Sequence, residues 1–182
     1  MSMCRIIGYF IIVQLLSTFH GYAQPTPGKE KIVISLPAEY RWKSQNIPKD
    51  TKGIRGTSYA IRGKDAQQAP VQMVTVTTID KRYYPMRAEG SPQEKLEFEK
   101  AGCPDASLDV VDKKVVEGRT AILYAIKNTK SAEGDCGSAV LLTYVAEGPT
   151  ALHTIELAIP TSHFTQDTYH QWCDTLLQSR IE

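Results

Sequence analysis

The chain has almost no excess charge of either sign: 21 Lys and Arg stand against 20 Asp and Glu in 182 residues. A protein that holds nucleic-acid phosphates or anionic lipid by its overall field needs a cationic surplus, so both classes are disfavoured. Cysteine is sparse, at four residues, and no two are spaced as Cys-x-x-Cys or set beside paired histidines. Thioredoxin-like redox chemistry and a structural zinc site therefore lack their parts. There is no Gly-x-Ser-x-Gly nucleophile elbow and no glycine-rich phosphate loop, which removes the sequence warrant for common hydrolase and nucleotide-dependent mechanisms. Long hydrophobic runs are missing too. The single candidate, Ile6 to Leu16, is interrupted by Gly8 and Gln14 and is too short for a membrane span.

What that run does resemble is an export signal. Arg5 precedes it, and Ser17 to Ala23 follow it, with Gly21 and Ala23 at the third and first positions before a cut expected between Ala23 and Gln24. Cys4 lies before the apolar run, not after it, so the pattern of a lipid-anchored protein is not met. The expected product is periplasmic or secreted, without stable membrane insertion after cleavage. Residues 24–31 read as a flexible leader with Pro25, Pro27 and Gly28, and residues 32–182 as one domain. A chain of that length can bury about two thirds of its unfolded surface, so one disulfide would supplement the core and not replace it.

Export leaves Cys103, Cys136 and Cys173 in an oxidising compartment. If Glu117-Gly118 is a hairpin tip, Leu108 falls near Asn128, and Cys103 falls beside the loop carrying Cys136; Cys103–Cys136 is the expected pair. Such a bridge contributes about 3–4 kcal/mol in the unfolded-state entropy model. Cys173 sits on the apolar stripe of a helix and reads as a small hydrophobe.

Strands are expected at Ile32 to Leu36, Tyr40 to Lys43, Thr57 to Arg62 and Val71 to Ile79, with a loop over Asn46 to Gly56. Ser91-Pro92-Gln93-Glu94 announces a helix that Ser91 caps, running to Gly102, and its few apolar residues, Leu96 and Phe98, place it on a surface. Four more strands follow over 108–117, 120–127, 138–146 and 151–159, joined by Glu117-Gly118-Arg119, the longer Asn128 to Gly137 and Glu147 to Thr150, and short connectors imply antiparallel neighbours. A final helix over 165–180 carries Tyr169, Trp172, Cys173, Leu176 and Leu177 on one face. The expected fold class is α+β: a mostly antiparallel sheet of about six or seven strands, an inserted helix, and a C-terminal helix packed on the sheet.

This element order, opening with Ser35-Leu36-Pro37-Ala38-Glu39-Tyr40-Arg41-Trp42, resembles the PsbP-like superfamily of α/β/α sandwiches, which includes photosystem II extrinsic subunits, small bacterial envelope proteins and secretion-associated chaperones. The resemblance implies a non-enzymatic binding or adaptor role toward another envelope or secreted protein, with no cofactor. It assigns no site residue, because a fold by itself fixes no function.

Three constellations could carry function. Lys81-Arg82-Tyr83-Tyr84-Pro85-Met86-Arg87 interleaves cations with aromatics after a strand, a pattern able to grip an acidic surface, although solvated cations around one packed Tyr is the simpler reading. His163, Asp167, His170 and Asp174 share one face if the last helix is continuous. They could then serve a metal-dependent hydrolase, but the stripe lies away from the apolar face and reads more simply as a solvated surface. Tyr40 and Trp42 could line a small-ligand carrier pocket between sheet and helix, where core packing is the commoner use of such a pair. His153 reads as a half-exposed strand residue.

Overall fold

A computed structural model describes residues 30–48, 51–61, 69–127 and 140–182. Its centre is a seven-stranded antiparallel sheet in the order β2 (Trp42–Ile47), β3 (Ile54–Ile61), β4 (Met73–Asp80), β8 (Ala151–Ile159), β7 (Val140–Glu147), β6 (Arg119–Lys127), β5 (Ser107–Val116). The α+β class with an inserted and a C-terminal helix is therefore as expected. β6 and β7 read as almost continuous apolar runs because they lie centrally and are buried on both faces, whereas β8 alternates from His153 onward, with Thr154, Glu156 and Ala158 on its less buried face. In β4 the alternation is strict, with Val74, Val76 and Thr78 buried and their neighbours less so.

One face carries α2 (Gln166–Leu177), whose Tyr169, Trp172, Cys173 and Leu176 join Val74, Leu123, Leu142, Ile155 and Leu157 in the larger core. Thr165 caps this helix by accepting the Thr168 N–H at 3.1 Å. The other face carries α1 (Ser91–Lys100) and a short 3-10 turn, Ala88–Gly90, over Ile122, Tyr124, Val145 and Leu152. As expected, α1 lies on a surface, burying Pro92 and Leu96 while Phe98 stays 73% exposed. Its cap is not the expected one. Gly90 takes the cap position, and Ser91, already inside the helix, turns its Oγ to the Tyr124 hydroxyl at 3.1 Å.

The first expected strand is shorter than its pattern. Only Ile32–Val33 form β1, paired with β9 (Arg180–Ile181), a strand that no periodicity announces. Reciprocal backbone bonds between Lys31 and Glu182, at 3.0 and 2.9 Å, close this small sheet, so the fold takes in Glu30 and Lys31, two residues before its expected start. β2 reaches Ile47 and β3 begins at Ile54, which shortens the loop expected over Asn46 to Gly56.

The β5–β6 hairpin turns on Glu117 and Gly118, both with positive φ (52° and 72°), as a two-residue connection requires. Leu108 pairs with Ile126, not beside Asn128: the tight turn takes one residue from the expected register, and a bulge between Val110 and Asp112 takes another. Cys173 is buried and free, whereas Cys103 is buried and not free. Cys136, its expected partner, lies outside the described residues, as do residues 1–29 with the expected signal. Among the described residues no helix is long and apolar enough to cross a membrane.

Candidate functional site

At one end of the sheet, the loop leaving β4 meets the β7–β8 turn and the tip of the β5–β6 hairpin. Asp80 begins the loop. Its carboxylate accepts the Arg82 backbone N–H at 2.9 Å and the guanidinium at 2.5–3.1 Å, while the Tyr83 and Tyr84 N–H groups donate to its carbonyl at 3.1 Å. The guanidinium holds the Asp80 carboxyl below the usual carboxylate range. Tyr83 packs against Gly53, whose φ of 85° and lack of Cβ leave room for the ring. Lys52 and Arg82 stand over that ring, 5.0 and 5.7 Å from its centre, and Tyr83 remains 44% exposed.

The far end of the loop is pinned by Glu147. Its side chain is 2% exposed, accepts the Ala88 N–H at 2.9 Å, and lies 3.7 Å from Lys81 Nζ and 3.5 Å from an Arg87 nitrogen. Lys81 also donates to the Gly148 carbonyl at 3.0 Å. Lys81 and Arg87 thus converge, with Arg119 from the hairpin, around a cleft of about 390 Å³ that Met86 and Pro149 help to line. Arg82 and Tyr83 face a separate hollow with Lys52, Arg55 and Asp80. The loop singled out in the sequence is therefore two half-sites, with Tyr84 half-buried at neither opening.

The other expected constellations disperse. His163 sits in a 3-10 turn before α2 and bonds to Ser162, so it shares no helix face with Asp167, His170 and Asp174, which are exposed. Among the described residues no three His, Cys, Asp or Glu side chains converge as a metal would need. Tyr40, Trp42 and Trp172 form an edge-to-face chain with 6.2 Å between successive rings, and Trp42 Nε1 donates to the Pro37 carbonyl at 2.9 Å. That is packing between sheet and helix. A wider groove, about 680 Å³, is lined elsewhere, by Glu30, Ile32, Asn46, Arg55, Tyr59 and Thr78 among others.

His153 is fully buried, not half-exposed. Thr78, directly opposite on β4, bonds its Nδ1 at 3.1 Å, and Glu30 Oε2 lies 3.9 Å from its Nε2. Glu30 is anchored by two bonds from Thr150, at 2.8 and 3.0 Å, and rests against Gly148, where a Cβ would meet its carboxylate at 2.7 Å. The signal was present: in β8 His153 shares its face with Ile155, Leu157 and Ile159, the buried set. Glu30, distant in sequence, had none.

Burial lowers the His153 pKa below 6.5, helped by Arg55 and Lys81 and opposed by Glu30. Below pH 6.5 the unfolded chain therefore takes up this proton more readily than the folded one. The stabilisation is complete above pH 6.5 and is lost as pH falls toward the folded value. Thermal midpoints measured on both sides of pH 6.5 should fall on the acid side, and His153→Gln should flatten that fall. An equal slope in the variant would assign the acid sensitivity to other groups.

No protein-family model and no curated protein matches the chain. Among solved structures it is similar to the solution structure of cyanobacterial PsbP (CyanoP) from Synechocystis sp. PCC 6803, with a TM-score of 0.50 over 84% of this chain and 93% of that one, at 9% identity. At that identity the likeness is one of fold, and the seven-stranded antiparallel sheet between an inserted and a C-terminal helix is a PsbP-like fold.

Proposed function

We propose that the protein is an exported, non-catalytic binding or adaptor protein of the cell envelope that holds a partner protein at the Lys81–Arg87 end of its sheet. The observation that carries this reading is the convergence of Lys81, Arg87 and Arg119 on one cleft, with the Lys81 and Arg87 heads placed by a buried carboxylate. Cations held in advance lose less freedom on binding, and Arg offers forked donors to a carboxylate-rich surface. Tyr83, exposed in the separate hollow on the same loop, adds an aromatic anchor of the kind enriched at interfaces. An export signal over residues 1–23 and a pairing of Cys103 with Cys136 belong to the same reading. Non-reducing peptide mapping should recover the two cysteines in one linked pair and leave Cys173 unlinked, its thiol shielded by burial that raises its pKa. Cys103 recovered unlinked, or linked to Cys173, overturns that pairing.

The test is affinity capture from an envelope extract of the native host, using immobilised residues 24–182. Wild type should retain a stoichiometric protein, and less of it as salt rises, because exposed charges are screened. Replacing Arg82, Tyr83, Tyr84 and Arg87 with Ala should abolish capture while the circular dichroism spectrum stays unchanged; Lys43→Ala, on β2 toward the other end of the strands, should leave it intact. Undiminished capture by the loop variant would discard the site. A small-ligand carrier is the second reading, favoured by the 680 Å³ groove, a size in the range of ligand pockets. A thermal shift with a small-molecule panel, abolished by Tyr59→Ala, would support it.

A further inference from the structure

The two edges of the large sheet are built differently. β2 presents Lys43, Ser44, Gln45 and Asn46, all polar. β5 presents Val110, Val111, Val115 and Val116, the last two 62% and 67% exposed, and among the described residues it is paired on one side only, with β6. A strand edge with exposed apolar side chains and an unpaired row of backbone N–H and C=O groups is a template for another strand.

We propose that its occupant is a second copy of this chain, paired β5 to β5 antiparallel about a two-fold axis at Lys113. An isologous contact demands that the strand complement itself, and this one does in charge. With Lys113 on the axis, Asp112 of each chain faces Lys114 of the other, and Val111 faces Val115 twice. Asp112 and Lys114 lie on the same sheet face, opposite Leu123 and Ala121 of β6, so both opposite-charge pairs form on that face. Their side chains already attract each other within the strand at 3.1 Å, which places both charges close to the axis. Moving the axis to Lys114 sets that residue against itself and Asp112 against Val116, and both pairs are lost. The bulge at Val111 ends the regular stretch and confines the ladder to Val111–Val115, while Lys113 meets its own copy across the axis. Both features make the dimer weak and concentration-dependent.

Sedimentation of the purified protein over about a hundredfold range of concentration should show the mass rising from one chain toward two. Asp112→Lys sets lysine against lysine twice and should weaken association by about tenfold or more. The exchange Asp112→Lys with Lys114→Asp should restore it, and Lys113→Gln should strengthen it several-fold. Circular dichroism of each variant should match wild type. A single-chain mass at every concentration, a dimer indifferent to Asp112→Lys, or a loss that the exchange does not restore would each overturn the proposal.

Discussion

Trp172→Ala is expected to cost about 3–5 kcal/mol of folding stability, with a fall in thermal midpoint on the order of 10 °C for a chain of this length. Trp172 is 1% exposed and is the largest fully buried side chain of the described residues. It stands where α2 meets the sheet, edge-on to Trp42 and within the cluster that joins Leu123, Leu142 and Ile155. Truncation removes the apolar area that seats the helix and leaves a cavity that the rigid sheet beneath cannot collapse to fill. Trp172→Phe should keep more than half of the lost stability. Urea unfolding of the three proteins, with equal slopes, measures this directly. A loss under about 1 kcal/mol would mean that α2 contributes little to the core, against its burial.

Glu147→Ala is expected to act on both stability and the cleft. Its carboxylate is the acceptor for the Ala88 N–H and the anionic neighbour of Lys81 and Arg87. Without it Ala88 keeps a buried donor with no partner and two cations lose their counter-charge; a destabilisation of about 2–3 kcal/mol follows. Arg87 is mostly solvated and relaxes into water, which holds the cost below that of a fully buried ion pair. The chain should remain folded at room temperature, yet its partner capture should fall as sharply as in the loop variant, because the Lys81 and Arg87 heads are no longer placed together. Glu147→Gln keeps the acceptor for Ala88 and should recover most of the stability but not the capture. Full capture by Glu147→Ala in a folded protein would show that the cleft is not the binding site.

Much of the architecture is legible along the chain, and particular residues show why. The four strands from Ser107 to Ile159 and the helix bearing Tyr169, Trp172, Cys173 and Leu176 follow from hydrophobic period and short connectors, which are local properties. The element order that resembles the PsbP-like sandwiches leads to the fold observed. β9 was illegible because a two-residue strand has no period; it exists only where Ile32–Val33 pass beside it. The Ser91 cap failed because the 3-10 turn Ala88–Gly90 runs straight into α1 and holds Ser91 in helical backbone, one position past the cap, where its hydroxyl meets Tyr124. The Lys81–Arg87 loop could be found from its composition. Its division into two openings could not, since Glu147, Gly148 and Arg119 decide which cations share a cleft.

By itself, then, the amino-acid sequence determined most of the elements, the antiparallel pairing of β5 to β8 along the chain, the buried face of the last helix and the loop richest in cations and aromatics, because each depends on residues within one or two turns or between neighbouring strands. The tertiary structure alone decided which charges meet. The placing of Glu30 against His153, of Glu147 beneath Lys81 and Arg87, and of β5 at an open edge all join residues far apart in the chain. Such meetings are governed by strand register and sheet order, where one residue of slip or one bulge carries a side chain to the other face or to another partner.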